Sequence, residues 1–387
     1  MKIFKSFFIG GYECADHINN RGNRVDILRE TEHDVRTVED YELLKTAGIQ
    51  TVREGIRWSF VEKEPYVYDF SEVINRIKAA QETGIQQCWD ICHFGYPDGL
   101  MPSHPHFADR LTALCKAFVE LYRSLTGDPL IITPVNEISF LSWLGGDVRG
   151  TVPFARDSGF DIKYFLCKAA IKAIEGIKQV DPSAKILLVE PLMKVHPQRG
   201  QPLSEDIKNL NEIQYQAMDI ITGRMCPELG GRPEYMDLAG FNYYYANQWE
   251  HCGETIGWRT ERQKRDFPGL LKSAADRYQK PVVITETGHF KEDRSLWMEQ
   301  ITEECMEAMD NGVDLRGICI YPVLDRPDWD HFNYIDCGIW GYDNNKDRFV
   351  EEDYLETVRS CIENIESYFQ QKIQQPYYSQ MAVQSFV

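Results

Sequence analysis

The chain has 387 residues, 43% hydrophobic and 12% aromatic, which is enough for a large core and a usual length for a single α/β barrel. Its 42 Lys and Arg against 60 Asp and Glu give a net charge of −18, spread along the chain. Nucleic acid and anionic membranes both call for basic patches, so neither is expected as a partner.

The N-terminus, MKIFKSFFIGGYECADH, has a lysine at position 5 and an apolar stretch too short for a signal-peptide core; no later window approaches a membrane span, so a cytoplasmic protein is expected. Strands are predicted at Ile3–Gly10, Thr51–Trp58, Gln86–His93, Leu130–Val135, Lys185–Val189, Asp237–Tyr243, Pro281–Thr285 and Leu315–Tyr321. Most are apolar over several consecutive residues, as parallel strands covered by helices are. Helices are predicted between them. His33–Ala47 places Val35, Val38, Tyr41 and Leu44 at helical spacing, and Ser71 is suited to cap a helix carrying Val73, Ile74, Ile77 and Ala80 and ending at Gly84. Ala108–Leu125, Ile162–Val180, Asp206–Gly223, Leu270–Tyr278, Leu296–Asn311 and Tyr354–Phe369 follow. Strict βα alternation implies right-handed crossovers and a parallel sheet. A doubly wound open sheet would carry a Gly-rich turn after the first strand, and Gly10-Gly11 is too little for one. The fold class expected is a single (β/α)8 TIM barrel over 1–370, with a glutamine-rich tail, 371–387, that is disordered or packed on the barrel.

The eleven cysteines lack short paired spacing, and Cys88, Cys115, Cys167 and Cys319 lie within predicted elements, which fits buried free thiols better than disulfides. Cys88, Cys92 and His93 have a faint look of metal ligands, but no second ligand pair follows, so no metal and no cofactor is expected.

The chemistry sits at strand ends. TPVNEISF delivers Glu137 after the fourth strand, with Asn136 before it, and VVITETGHF delivers Glu286 after the seventh. Carboxylates at the C-terminal ends of different barrel strands suggest glycoside hydrolysis, which needs a proton donor and a nucleophile or base. A separation of about 5 Å would indicate retention and roughly 6.5–9.5 Å inversion. Arg53, in the second strand, is the natural cation for one of the pair, unless it is a plain buried partner of Glu54 or Asp90. Tyr244 could donate a hydrogen bond to the same carboxylate. Aromatic and polar residues suited to a sugar follow other strands: His93 and Phe94 after the third, Asn242 after the sixth, Tyr321 and Trp329 after the eighth. Glu190 ends the fifth strand and could substitute for one of the pair; Glu13, Asp90 and Asp325 are hydrogen-bonding candidates.

In this order the motifs resemble the family 1 β-glycosidases, a retaining family built on the (β/α)8 barrel, from about residue 7 to 350. FFIGGYECADH is similar to the family's first strand, REGIRWS to its second, and HFGYPDGL to its His-Trp-Asp-Leu-Pro region. TPVNEIS resembles its acid/base motif, VVITETGH its nucleophile motif, GFNYYYA its Asn-Tyr-Tyr strand, and YPVLDRPDWD its last conserved segment. The resemblance implies Glu137 as general acid/base and Glu286 as nucleophile, Asn136 on the sugar 2-hydroxyl, Arg53 and Tyr244 holding Glu286, and His93, Asn242, Asp328 and Trp329 lining the glycone subsite. The chain departs from the family pattern at His17 (for Gln), Phe94 and Tyr321 (for Trp), Asp328 (for Glu) and Ile138 (for Pro). The carboxylate at Asp328 would repel a 6-phosphate, which argues against a phospho-sugar.

A retaining β-glycosidase acting on a carbohydrate is therefore expected, or a transglycosylase with the same intermediate. The alternatives are a catalytically weak sugar-binding barrel and a lyase or isomerase using Glu190 and a metal, for which no ligand cluster is found. The sequence carries no signal for an oligomeric state.

Overall fold

The computed structural model describes residues 3–384; the side chains of 261–265 and 374–384 lie outside that description. Eight parallel strands close into a barrel: β1 (Phe8–Gly11), β2 (Thr51–Gly55), β3 (Gln86–Asp90), β4 (Ile131–Thr133), β5 (Lys185–Pro191), β6 (Leu238–Asn242), β7 (Val282–Thr287) and β8 (Leu315–Ile320), with β8 returning to pair with β1. The eight predicted strands are these eight, each shortened or shifted by a few residues. The TIM-barrel expectation holds, because every strand is buried along nearly its whole length and each crossover lays a helix over it.

Two apolar layers follow. Phe4, Ile9, Cys88, Ile131, Leu187, Val283 and Cys319 fill the barrel interior, while a larger shell joins the outward strand faces to the helices. The eleven cysteines are free thiols, buried apart from Cys226 and Cys252. Cys88 lies in the interior and Cys92 in the shell, so the two do not share a site.

Two helix expectations need correction. The stripe read on His33–Ala47 is not the buried face: Val35 is 76% and Val38 39% exposed, whereas His33, Thr37, Asp40, Tyr41 and Leu44 are buried. That helix, His33–Thr46, is turned inward by polar contacts. His33 joins Asp40 (2.6 Å) to Glu54 of β2 (2.9 Å), and Glu54 also accepts from the Tyr41 hydroxyl (2.6 Å) and Arg76 Nη1 (2.6 Å). Burial alone would raise the Glu54 pKa, but His33 and Arg76 outweigh it and hold the carboxyl at about 2. Ser71 does not cap its helix. It is the first helical residue of Ser71–Thr83, and its backbone N–H donates to Asp69 at 3.0 Å. Gly84 ends that helix with φ +77°, as expected of a C-terminal glycine.

The last helix runs Glu352–Gln384, so the expected boundary at 370/371 falls inside it; the tail's side chains from 374 on lie outside the described residues. Among the described residues no helix is long and apolar enough to cross a membrane.

Candidate active site

The C-terminal mouth of the barrel gathers most of the predicted residues. β4 stops at Thr133, and Asn136 continues the ladder by a single bridge to Val189 before Glu137 turns the chain at φ +44°. A left-handed φ is costly for glutamate, and the turn starts the helix Ile138–Gly146 with the Glu137 carboxyl at the mouth. On β7 the register shifts between Ile284 and Glu286, and Glu286 then pairs with Asn242 of β6. Such a bulge re-aims a side chain at a strand end.

Arg53 organises the floor. Its Nη1 donates to Glu286 Oε1 (2.6 Å) and to the Thr285 carbonyl (3.1 Å); its Nη2 lies 2.7 Å from Asn136 Oδ1 and 2.6 Å from Asp90 Oδ2. Both roles weighed for Arg53 are therefore present in one side chain, the cation for Glu286 and the ion pair with Asp90. By engaging Asn136 Oδ1, Arg53 leaves Nδ2 of that amide facing Glu286 Oε1 (3.4 Å) and His93 (3.5 Å). The Tyr244 hydroxyl donates to the other oxygen, Oε2, of Glu286 at 2.8 Å.

Glu137 lies in different surroundings. Its Oε1 accepts one hydrogen bond, from Asn242 Nδ2 at 2.9 Å, and Thr285 Oγ1 fixes that amide by donating to Asn242 Oδ1 at 2.6 Å. Burial and the nearby Glu286 push the Glu137 pKa well above the usual carboxyl range. Glu190 adds to the rise and the Asn242 bond only partly offsets it. Glu190 itself does not replace either glutamate. It accepts from the Ser139 N–H at the start of the helix after Glu137 (3.1 and 3.2 Å), and burial lifts its own pKa to about 7.

Around this pair, His93 donates from Nδ1 to the Asp90 carboxylate (3.0 Å) and stacks at 5.9 Å on Tyr321. Burial disfavours its proton, but Asp90 at 3.0 Å and Glu13 at 3.5 Å favour it, and its pKa lies above the ordinary histidine value. The Tyr321 ring fits beside β1 because residue 11 is glycine; a Cβ there would collide with it. His17, Phe94 and Trp329 form an aromatic wall, with His17–Trp329 at 4.9 Å and Phe94–Trp329 at 5.6 Å. Burial lowers the His17 pKa to about 4, so its ring is neutral.

Asp328 stands apart. Its Oδ1 accepts from the N–H groups of Asp330 (2.9 Å) and His331 (2.6 Å) and its Oδ2 from that of Asn333 (3.0 Å), so the carboxylate is taken up in a turn. The residue that reaches the mouth from this segment is Arg326. It lies inside the matched segment YPVLDRPDWD, at a position to which the resemblance assigns no role. Asp90, expected as a hydrogen-bonding group, serves as one for Arg53 and His93, whereas Thr285, which orients Asn242 from within β7, carries no signal in the sequence.

His93, Cys14 and Asp90 bring ligand-type atoms within 4.8 Å of one another. They do not suit a metal: Arg53 already supplies the positive charge at Asp90, and burial raises the Cys14 thiol pKa, so it keeps its proton.

No protein-family model matches the sequence. Solved structures do match. A family 1 β-glucosidase from Thermotoga maritima aligns with TM-score 0.70 at 17% identity over 87% of each chain. The Thermotoga maritima β-glucosidase in complex with deoxynojirimycin aligns at TM-score 0.74 and 17% identity, over 95% of this chain and 99% of that one. The fold is that of the family 1 β-glucosidases. The β-glycosidase BGL167 is similar too, at TM-score 0.67 and 18% identity over 88% of each chain. At these identities the β-glucosidase likeness speaks for the barrel, and the chain is a divergent bearer of it.

Proposed function

We propose that the protein is a retaining β-glycosidase of the family 1 type, with Glu137 as general acid/base and Glu286 as nucleophile. The observation that carries this reading is the contrast between the two carboxyls. Glu286 is clamped as an anion by Arg53 at 2.6 Å and the Tyr244 hydroxyl at 2.8 Å, while Glu137 is buried with one neutral donor and held in its protonated form. Two carboxyl groups driven apart in this way are suited to opposite roles.

In the first step a Glu286 oxygen attacks the anomeric carbon. The bond to the aglycone oxygen breaks, and Glu137 passes its proton to that oxygen, so the aglycone leaves as an alcohol. Glu137, now a carboxylate, takes a proton from a water that attacks the glycosyl ester, and Glu286 is released. Asn136, with Nδ2 turned toward Glu286, is placed to donate to the sugar 2-hydroxyl, where hydrogen bonds strengthen in the transition state. Asn242 and His93 complete the polar lining, and Phe94, His17, Tyr321 and Trp329 the aromatic part. In this reading the substrate is a β-linked carbohydrate and the barrel, 1–370, is the catalytic unit. The enzyme works in the cytoplasm, a reducing compartment that suits its free thiols.

The test is incubation with aryl 2-deoxy-2-fluoro-β-glycosides followed by peptide mass spectrometry. A covalent adduct on Glu286 is expected; labelling at another residue would overturn the assignment.

A further inference from the structure

Three polar atoms on one side of the mouth are buried and have no hydrogen-bond partner among the described residues: Nε of Arg326, Nε1 of Trp329 and Nδ1 of His17. They cluster, because the Arg326 guanidinium stands 5.7 Å from the centre of the Trp329 ring, which in turn meets His17 at 4.9 Å. A buried polar atom left without a partner is costly, so a cluster of such atoms suits a polar ligand, and the two that can only donate, on Arg326 and Trp329, call for acceptors. Arg326 is the most under-used. Of its five N–H groups, one donates to the Pro327 carbonyl at 2.9 Å.

Its counter-charge comes from the first strand's end. Glu13 Oε2 lies 3.6 Å from Arg326 Nε, too far for a hydrogen bond but close enough to neutralise it. Glu13 is itself fixed, since Oε1 accepts from the Ala15 N–H (3.0 Å) and lies 3.5 Å from both His93 Nε2 and the Tyr321 hydroxyl. The pair thus extends the same network that holds the catalytic floor.

The basic and acidic side chains of the mouth are paired. Arg53 faces Asp90 and Glu286, both at 2.6 Å, Arg326 faces Glu13 at 3.6 Å, and His93 stands 3.0 Å from Asp90 and 3.5 Å from Glu13, so each carboxylate lies within 4 Å of a basic side chain. A buried site in this state accepts neutral hydroxyls at Arg326 but charges a penalty for a further anion. Taking Asp328 out of the mouth does not open it to anionic sugars, because Glu13 restores the negative charge from another strand.

We propose that Arg326 and Glu13 are the specificity-determining pair of the glycone subsite. Arg326 donates to sugar hydroxyls beside Trp329 and His17, and Glu13 positions that guanidinium and cancels its charge so that uronic acids and sugar phosphates are rejected. This rests on the mouth being a glycone subsite, as in the function proposed above.

The pair is tested by equilibrium binding, which needs no turnover. Phenyl 1-thio-β-D-glycosides of gluco, galacto and xylo configuration are compared by calorimetry with the corresponding glucuronide, galacturonide and 6-phosphoglucoside, on wild type, Glu13→Gln and Arg326→Met. Wild type binds a neutral member and prefers it to every acid. Arg326→Met weakens the neutral ligand about 10- to 100-fold, as loss of a charge-assisted hydrogen bond does, with no gain for acids. Glu13→Gln leaves Arg326 uncompensated and shifts the acid-to-neutral affinity ratio at least about tenfold toward the acids, a change that loss of structure alone would not produce. Tighter binding of an acid by wild type, no binding of any neutral member, or an unchanged ratio in Glu13→Gln would each overturn the proposal. Labelling of Glu286 is read separately on the same proteins, so failure of the catalytic reading shows as binding without an adduct.

Discussion

Replacing Glu137 by glutamine separates the catalytic cost of its environment from the stability cost. The amide keeps the carbonyl oxygen that accepts from Asn242 Nδ2, so the site retains its shape. In the folded chain burial and Glu286 hold the proton on Glu137 to higher pH than in the unfolded chain, where an ordinary glutamate titrates near about 4.3. Above about pH 4.3 the folded state therefore carries the extra proton, and stability falls as pH rises, by about 1.4 kcal/mol for each unit by which the folded pKa is raised. Below about pH 4.3 both states are protonated and the contribution is flat. Glu137→Gln removes this titration. We expect it to be more stable than wild type at pH 7, by roughly 1–3 kcal/mol, with the gap closing toward about pH 4 in urea-unfolding curves. Its kcat/KM for aryl glycosides with poor leaving groups drops about 10²- to 10⁴-fold, because proton transfer is lost, while activated dinitrophenyl glycosides suffer far less in the first step and accumulate the intermediate. The basic limb of the wild-type pH profile should disappear in the variant. A loss of rate that is independent of the leaving group, or a stability difference that does not change with pH, would refute the reasoning.

Tyr244→Phe removes one donor from Glu286, and kcat/KM in steady-state assays should fall about 10- to 100-fold with little change in unfolding midpoint. Arg53→Met strands the buried carboxylates of Glu286 and Asp90, and urea unfolding should show a loss of about 3–5 kcal/mol along with activity. For Glu54 the folded pKa is depressed to about 2, so its stabilisation is present above about pH 4.3 and is lost as pH falls toward 2. Glu54→Gln should accordingly destabilise the barrel by about 3–5 kcal/mol at pH 7 and flatten acid unfolding followed by circular dichroism between pH 4 and 2.

The barrel was legible because its strands are short apolar runs separated by helical patterns, and a parallel sheet covered on its outer face writes that pattern directly. Glu137, Glu286, Arg53, Tyr244 and Asn242 were legible because each sits at a strand or strand end inside a recognisable motif. What the sequence hid depends on contacts between distant segments. Val35 and Val38 have the right spacing for a buried stripe, but the His33–Asp40–Glu54 network rotates their helix so that they face outward. Asp328 matched a sugar-binding position by alignment, yet three backbone N–H groups within the next five residues claim its carboxylate. Arg326 meets Glu13 across 313 positions, a pairing that no local pattern announces.

Arg53 bonds to groups carried by or following β3, β4 and β7, so a single guanidinium belongs both to the cradle of the Glu286 carboxylate and to the closure of the cylinder. A change there disturbs the Glu286 carboxylate and the strands together, whereas the aromatic wall of His17, Phe94 and Trp329 is carried by segments that follow the strands. Glu286 is thus anchored to the cylinder itself, while the rings of that wall take no part in the strand pairing that closes it.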